Sequence, residues 1–119
     1  MKNIKESWFS ELQGLQLSSV EFVQDYFQLR FDGPCITTYN PTKVECGDLK
    51  VMSWGDQFRN MLCGQIGKIV NRIEFFEKDV LLIMFEDQSR ITISLKEEDY
   101  SGPEAIKYIG LKKNNLVVI

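Results

Sequence analysis

The chain carries nearly the same pattern twice. VEFVQDYFQLRFDG begins at Val20, and IEFFEKDVLLIMFED begins at Ile73. Set Val20-Glu21-Phe22 over Ile73-Glu74-Phe75 and allow one extra residue at the turn of the second copy. Phe27 then falls on Leu81, Leu29 on Ile83, Phe31 on Phe85 and Asp32 on Glu86. Ile36-Thr37 meets Ile91-Thr92 after one more residue of slippage, and upstream Leu12-Gln13-Gly14 answers Leu62-Cys63-Gly64. This repetition predicts two pseudo-symmetric α-β-β-β halves, 4–40 and 57–95, within a single domain spanning 1–119. A unit of about 50 residues buries its own sheet face poorly, and pairing two units solves that problem.

The local patterns support such units. In the first, Asn3 and Glu6 have capping-box spacing. Ile4, Trp8, Leu12 and Leu15 follow at helical spacing, with Gly14 as a left-handed stop. In the second, Asp56 is the expected N-cap, Phe58, Met61 and Leu62 the apolar face, and Gly64 the stop. Phe27, Leu29 and Phe31 share one strand face, with Gln28, Arg30 and Asp32 on the other. Gln24-Asp25 and Glu77-Lys78-Asp79 are the polar breaks expected between paired strands. Val80 to Phe85 is apolar at every position, which predicts a central strand covered on both faces. Residues 90–95 alternate, as a strand with one wet face does.

Outside the repeat, Asn40 to Gly55 reads as a linker with one short strand. Pro103 suits the first turn of a short helix ending before Gly110, and Leu116 to Ile119 looks like a final strand. The expected fold class is α+β: antiparallel sheets with a few short helices.

Composition removes several functions. There is no histidine, so histidine-based nucleophile activation, general-base catalysis and metal ligation are excluded together. Cys35, Cys46 and Cys63 are odd in number and contain no C-x-x-C pair, and they read as small buried hydrophobes. The spacing leaves a Cys35–Cys46 bridge open, against the redox poise of the cytosol. No apolar run approaches the roughly 20 residues that span a bilayer. The opening MKNIKESWFSELQG lacks the continuous apolar stretch of a secretory signal. The expected location is the cytoplasm, with no membrane association.

Net charge is −3 but unevenly placed. Glu74 to Glu104 holds nine acids against three bases, net −6, and the remainder holds eight acids against eleven bases, net +3. No clustered basic stripe of the kind that binds nucleic acid is visible. Asp25, Asp32, Asp79, Glu86 and Asp87 fall at or beside turns. Paired carboxylates can do acid–base work or hold a divalent cation. Turns favour Asp for local reasons, however, and both EF-hand spacing and a phosphate-cradling glycine loop are missing. The reading is therefore of a non-enzyme with no catalytic residue, no metal and no cofactor. A carboxylate or metal-dependent enzyme is the weaker alternative.

The candidate partner-binding residues are Glu97, Glu98, Asp99 and Tyr100, in the densest acidic run, together with Trp54. An acidic face can steer a basic partner, and exposed aromatics anchor interfaces. The same run also reads as a solvated loop entering the Pro103 helix. Trp54, next to Gly55, is the aromatic placed to be exposed, whereas Trp8 lies on the apolar helical face and reads as core.

The combination of EFVQDYFQLRFDG, LCGQIGK, a strand ending FED, and SLKEEDYSGPEA resembles a recurrent type of small bacterial single-domain protein. The likeness covers most of the chain from Val20 to Ala105. That type includes immunity proteins of toxin systems. The resemblance carries no catalytic motif and assigns no residue a role. It implies a cytoplasmic protein that binds and occludes a toxin domain, and the one-sided acidic segment points to a basic toxin as partner. A structural protein or homodimer, pairing through an exposed sheet edge, is the second expectation.

Overall fold

Both expected three-strand meanders form, and each is completed by a hairpin from the other half of the chain. The computed structural model describes residues 8–111 and 116–119. Strands β1 (Ser19–Val23), β2 (Tyr26–Arg30) and β3 (Cys35–Thr38) make the first meander. β6 (Val70–Phe76), β7 (Val80–Phe85) and β8 (Arg90–Ser94) make the second. Between them β4 (Thr42–Cys46) and β5 (Leu49–Met52) form a hairpin that pairs with β8. After the second meander, β9 (Ile106–Ile109) and β10 (Leu116–Val118) form a hairpin that pairs with β3. The result is two five-stranded antiparallel sheets, ordered β1-β2-β3-β9-β10 and β5-β4-β8-β7-β6.

Sequence alignment and strand register agree position by position. In the first sheet Val20, Leu29, Ile36, Tyr108 and Val117 form one cross-strand row. In the second, Ile73, Ile83, Ile91, Val44 and Val51 form another. Phe31 N–H donates to Pro34 O at 2.8 Å, and Phe85 N–H donates to Ser89 O at 2.9 Å. The hairpin turns differ by the expected residue: Val23 pairs Tyr26, whereas Phe76 pairs Val80.

The inner faces close one hydrophobic core. Phe27, Leu29, Phe31, Leu81, Ile83, Phe85, Ile91 and Ile93 are all essentially inaccessible. Helical turns bridge the sheets. Phe9, just before a 3-10 turn at Ser10–Leu12, stacks on Phe75 at 5.6 Å and meets Tyr108 at 4.8 Å. Phe58 opens helix α1 (Phe58–Cys63) and packs against Phe22 and Phe27 of the first sheet. The segments before β1 and β6 also meet. Leu17 N–H donates to Lys68 O, and Val70 N–H donates to Leu15 O, around a Gln16–Ile69 bridge.

Several expectations are corrected. The described residues are mostly β, with one six-residue helix (Phe58–Cys63), two 3-10 turns and helical residues at Trp8 and Phe9, so the helical share is smaller than expected. The Asn3–Glu6 capping box and Ile4 lie outside the described residues. Gly14 is left-handed as expected (φ 89°), but in the second half that role falls to Gly67 (φ 94°), while Gly64 is right-handed. The helix-preceding residue is Gln57, without a side-chain cap, rather than Asp56.

The linker of residues 40–55 is a full hairpin. Thr42 and Val44 are buried while Lys43 and Glu45 are not, and Gly47-Asp48 makes the two-residue turn with Gly47 at φ 61°. The expected Pro103 helix is absent, because Ile106 and Tyr108 face inward and Lys107 and Ile109 do not, a period of two that suits a strand. β7 is an interior strand, between β8 and β6, but its outer face is covered only in part: Met84 is buried, while Val80 and Leu82 are half-buried. Of the cysteines, Cys35 is buried, Cys46 half-buried and Cys63 exposed, and all three are free thiols.

Phe85 is fully buried in β7, and Phe31 is its counterpart just beyond β2. Phe85→Ala and Phe31→Ala should each cost about 3–5 kcal/mol, the range for emptying a large aromatic from a core. Chemical denaturation of the two variants measures this, and an unchanged midpoint for either would mean that its ring is not part of the core.

Candidate functional site

The chain changes sheet at one end of the molecule, and the sequence-predicted residues collect there. The crossover of residues 39–41 joins β3 to β4, and the longer return of residues 95–105 joins β8 to β9. The β1–β2 turn and the chain after β5 reach the same end. Trp54 and Asp99 line one open depression of about 370 Å³, together with Asp25, Tyr39 and Asn40. Glu97 and Tyr100 line a neighbouring one of about 410 Å³, against Lys78 and Pro103. Glu98 is exposed on the same 3-10 turn (Glu97–Asp99). Tyr100 is half-buried and packs against the core, so it is less free as an anchor than expected.

Trp54 is 44% exposed although it belongs to an aromatic cluster. Its ring meets Phe22, Phe27 and Phe58 at 5.7–6.3 Å, edge to face. The guanidinium of Arg59 lies 5.7 Å from the Trp54 ring and 5.6 Å from that of Phe22, a cation–π geometry. Trp54 separates the depression facing Tyr39 from a second one, of about 390 Å³, beside Asp56 and Arg59. Its backbone is left-handed (φ 65°), a conformation that costs a bulky residue about 1–3 kcal/mol. The turn holding it is tied down: Ser53 N–H donates to Thr42 O at 2.7 Å, and Gly55 N–H donates to Met52 O at 3.0 Å.

Asp99 accepts a 2.5 Å hydrogen bond from Ser94 Oγ. Among the described residues, neither Asp99 nor Asp25 has a cation at ion-pair distance. Burial, then the negative charge of Glu104, then Tyr26 hold the Tyr39 hydroxyl above the ordinary tyrosine range. Asn40 is buried; its Nδ2 donates to Ser94 O at 2.9 Å, while its Oδ1 has no hydrogen-bond partner among the described residues.

The other turn acids are dispersed. Asp79 lies 3.9 Å from Lys96, and Asp87 lies 2.7 Å from Lys68. Among the described residues, no three acidic or thiol side chains converge as a metal site. Lys68 is also 3.2 Å from Ser89 Oγ, a spacing at which a serine–lysine pair can be nucleophilic. Here Lys68 donates to Ser89, Gln65 and Asp87, which leaves no lone pair to act as base. Ser89 is buried, with Oγ 2.5 Å from Asp87 and 2.8 Å from Gln65. The cluster pins the loop before β6 to the β7–β8 turn.

Sequence reasoning found Trp54 and Asp99 but not the partners that make them a site. Asp25 was visible only as a turn acid, and Tyr39-Asn40 only as the start of a linker. Their meeting follows from the sheet crossover, which leaves no local signature. No protein-family model, curated protein or solved structure matches the chain.

The Lys68 ammonium and the Ser89 donors hold the Asp87 carboxyl down at about 2. A depressed carboxylate contributes stability that is present above its unfolded value of about 3.9 and is lost as pH falls through the folded one. The wild type should therefore lose about 1 kcal/mol from this pair between about pH 4 and 2, a small figure because Asp87 is half-exposed. In Lys68→Met that part of the acid loss should shrink. Denaturation midpoints across this range give the comparison, and parallel curves for the two proteins would rule out the pair as the source.

Proposed function

We propose that the chain is a protein-binding protein of the toxin-immunity type, which works in the cytoplasm by covering a basic toxin domain. One observation carries the reading: a half-exposed tryptophan, held on strained backbone, shares a concave surface with two carboxylates that have no ion-pair partner among the described residues. Exposed aromatics backed by a rigid scaffold anchor interfaces, and acids beside them favour a basic partner. Steric occlusion needs no catalytic group, which accords with a chain that has no histidine. None of the described helices is long and apolar enough to cross a membrane.

The fold fits such a role if it arose from two copies of one meander-plus-hairpin unit, each lending its hairpin to the other. Matching cross-strand rows, matching left-handed Gly14 and Gly67, and reciprocal bonds around Gln16 and Ile69 support that origin. A second functional reading has its own support. Ile109, Leu116 and Val118 are each nearly half exposed at the β9–β10 edge, and an apolar sheet edge can pair with a second copy.

Association kinetics with a toxin domain encoded beside this gene test the first reading. Changing Glu97, Glu98 and Asp99 together to Lys should slow association, with less slowing at high salt because screening removes the steering. The fold should survive, since Glu97 and Glu98 are exposed and half-buried Asp99 loses one side-chain hydrogen bond, that from Ser94. An association rate that ignores both the substitutions and salt would dismiss the acidic face as the interface. Sedimentation of the wild type and of Leu116→Lys tests the second reading. A dimer that this substitution dissociates would put the edge-pairing reading first.

A further inference from the structure

We infer that the depression between Tyr39 and Trp54 is a socket for one arginine side chain presented by the protein partner. This rests on the protein-binding reading and gives it a chemical target. The two side walls are aromatic, and Trp54 already accepts the chain's own Arg59 at 5.7 Å. Arg59 lines the other depression that Trp54 borders and does not line this one, and a second cation would take the Tyr39 side. Asp25 and Asp99 have no ion-pair partner among the described residues, and no lysine or arginine lines this depression, although Asp99 also borders a separate one with Lys43 and Lys96. Asn40 adds an independent sign. It is 97% buried in the wall (relative exposure 3%) and holds an amide oxygen that lacks a donor.

The groups that meet here ask for many donors and a flat cation. A guanidinium has five N–H donors in a planar fork and stacks on aromatic faces, whereas an ammonium is a compact, strongly hydrated point charge. The volume of about 370 Å³ admits a side chain but is open enough that its backbone stays outside.

The experiment titrates the full chain, labelled with nitrogen-15, with three blocked amino-acid amides: N-acetyl-arginine, N-acetyl-lysine and N-acetyl-norleucine methylamide. Resonances of the Trp54 indole N–H and of the Tyr39 and Asp99 amides should move with the arginine probe at an affinity on the order of millimolar, as expected for so small a ligand. The lysine probe should bind about threefold or more weakly, the scale of an exposed cation–π or ion-pair contact. The norleucine probe should leave these signals in place. Asp25→Asn should weaken the arginine response about threefold, while Asp32→Asn, at the opposite end of β2, should not.

Equal responses to arginine and lysine, shifts centred elsewhere, or no response at these residues would overturn the socket. The wild-type comparison of probes needs no variant and stands even if Asp25→Asn folds poorly. Loss of the socket alone, with a basic toxin still bound through Glu97 and Glu98, would leave the protein-binding reading intact. Loss of toxin binding with a working arginine response would remove the toxin reading and keep the socket.

Discussion

Everything in this molecule depends on the pairing of β9 with β3 and of β4 with β8. Each three-strand meander ends on a strand whose inner face is buried, Ile36 and Thr38 in one sheet and Ile91 and Ile93 in the other. Left as edges, β3 and β8 would expose both that face and a row of unpaired backbone groups. The hairpins cover them reciprocally, so Tyr108 lies beside Ile36 and Val44 beside Ile91. The helical turns repeat the arrangement. The Phe9 turn of the first half rests on Phe75 of the second, while Phe58 of the second rests on Phe22 of the first. Neither sheet can be assembled from one half of the chain.

The candidate site follows from that exchange. Crossing between sheets brings the end of β3, the return before β9, the β1–β2 turn and the strained turn after β5 to one end. Turn and crossover positions tolerate Asp, Asn, Ser and Tyr because their backbone need not join a long ladder. Trp54 pays for its position in left-handed backbone and gains an aromatic bed in Phe22, Phe27 and Phe58. Glu11 does comparable work at a different place: it accepts hydrogen bonds from the Tyr108 hydroxyl and from Leu111 N–H, fastening the first helical turn to the end of β9. Burial and that carboxylate hold the Tyr108 hydroxyl well above the ordinary tyrosine range.

Much of this was legible in local periodicity. Alternation at Phe27, Leu29 and Phe31 identified one inner face, because a strand presents every second residue to one side, and the repeat carried it to Leu81, Ile83 and Phe85, where the run is apolar throughout. The repeat aligned Leu29 with Ile83, and these do occupy corresponding places in the two cross-strand rows. It did not give which edge each hairpin would join, since a strand's pattern says that it has one dry face and not whose. Residues 40–55 looked like a linker because Pro41, Gly47 and Gly55 interrupt a short run, although Gly47-Asp48 was a readable hairpin signal. Pro103 suggested a helix, and the alternation from Ile106 to Ile109 outweighed it once β3 offered an open edge. Of the site, Trp54 and Asp99 stood out by size and charge, while Tyr39 and Asn40 acquire meaning only through the crossover.

The reciprocal hairpins also set the order in which the molecule can be completed. Cys35 waits for Ile109, and Thr38 for Ile106, so the first sheet stays unfinished until the chain has travelled through the whole of the second. Pairings this distant in sequence carry a large loop-closure cost before they return any contact energy, and chains rich in them fold slowly. During synthesis the first meander would leave the ribosome with β3 as a bare edge. The alternative partner for that edge is the β9 of a neighbouring copy, reached through the same return segment. The geometry that makes the finished monomer a single cooperative body therefore makes its half-made form a candidate for exchange between chains.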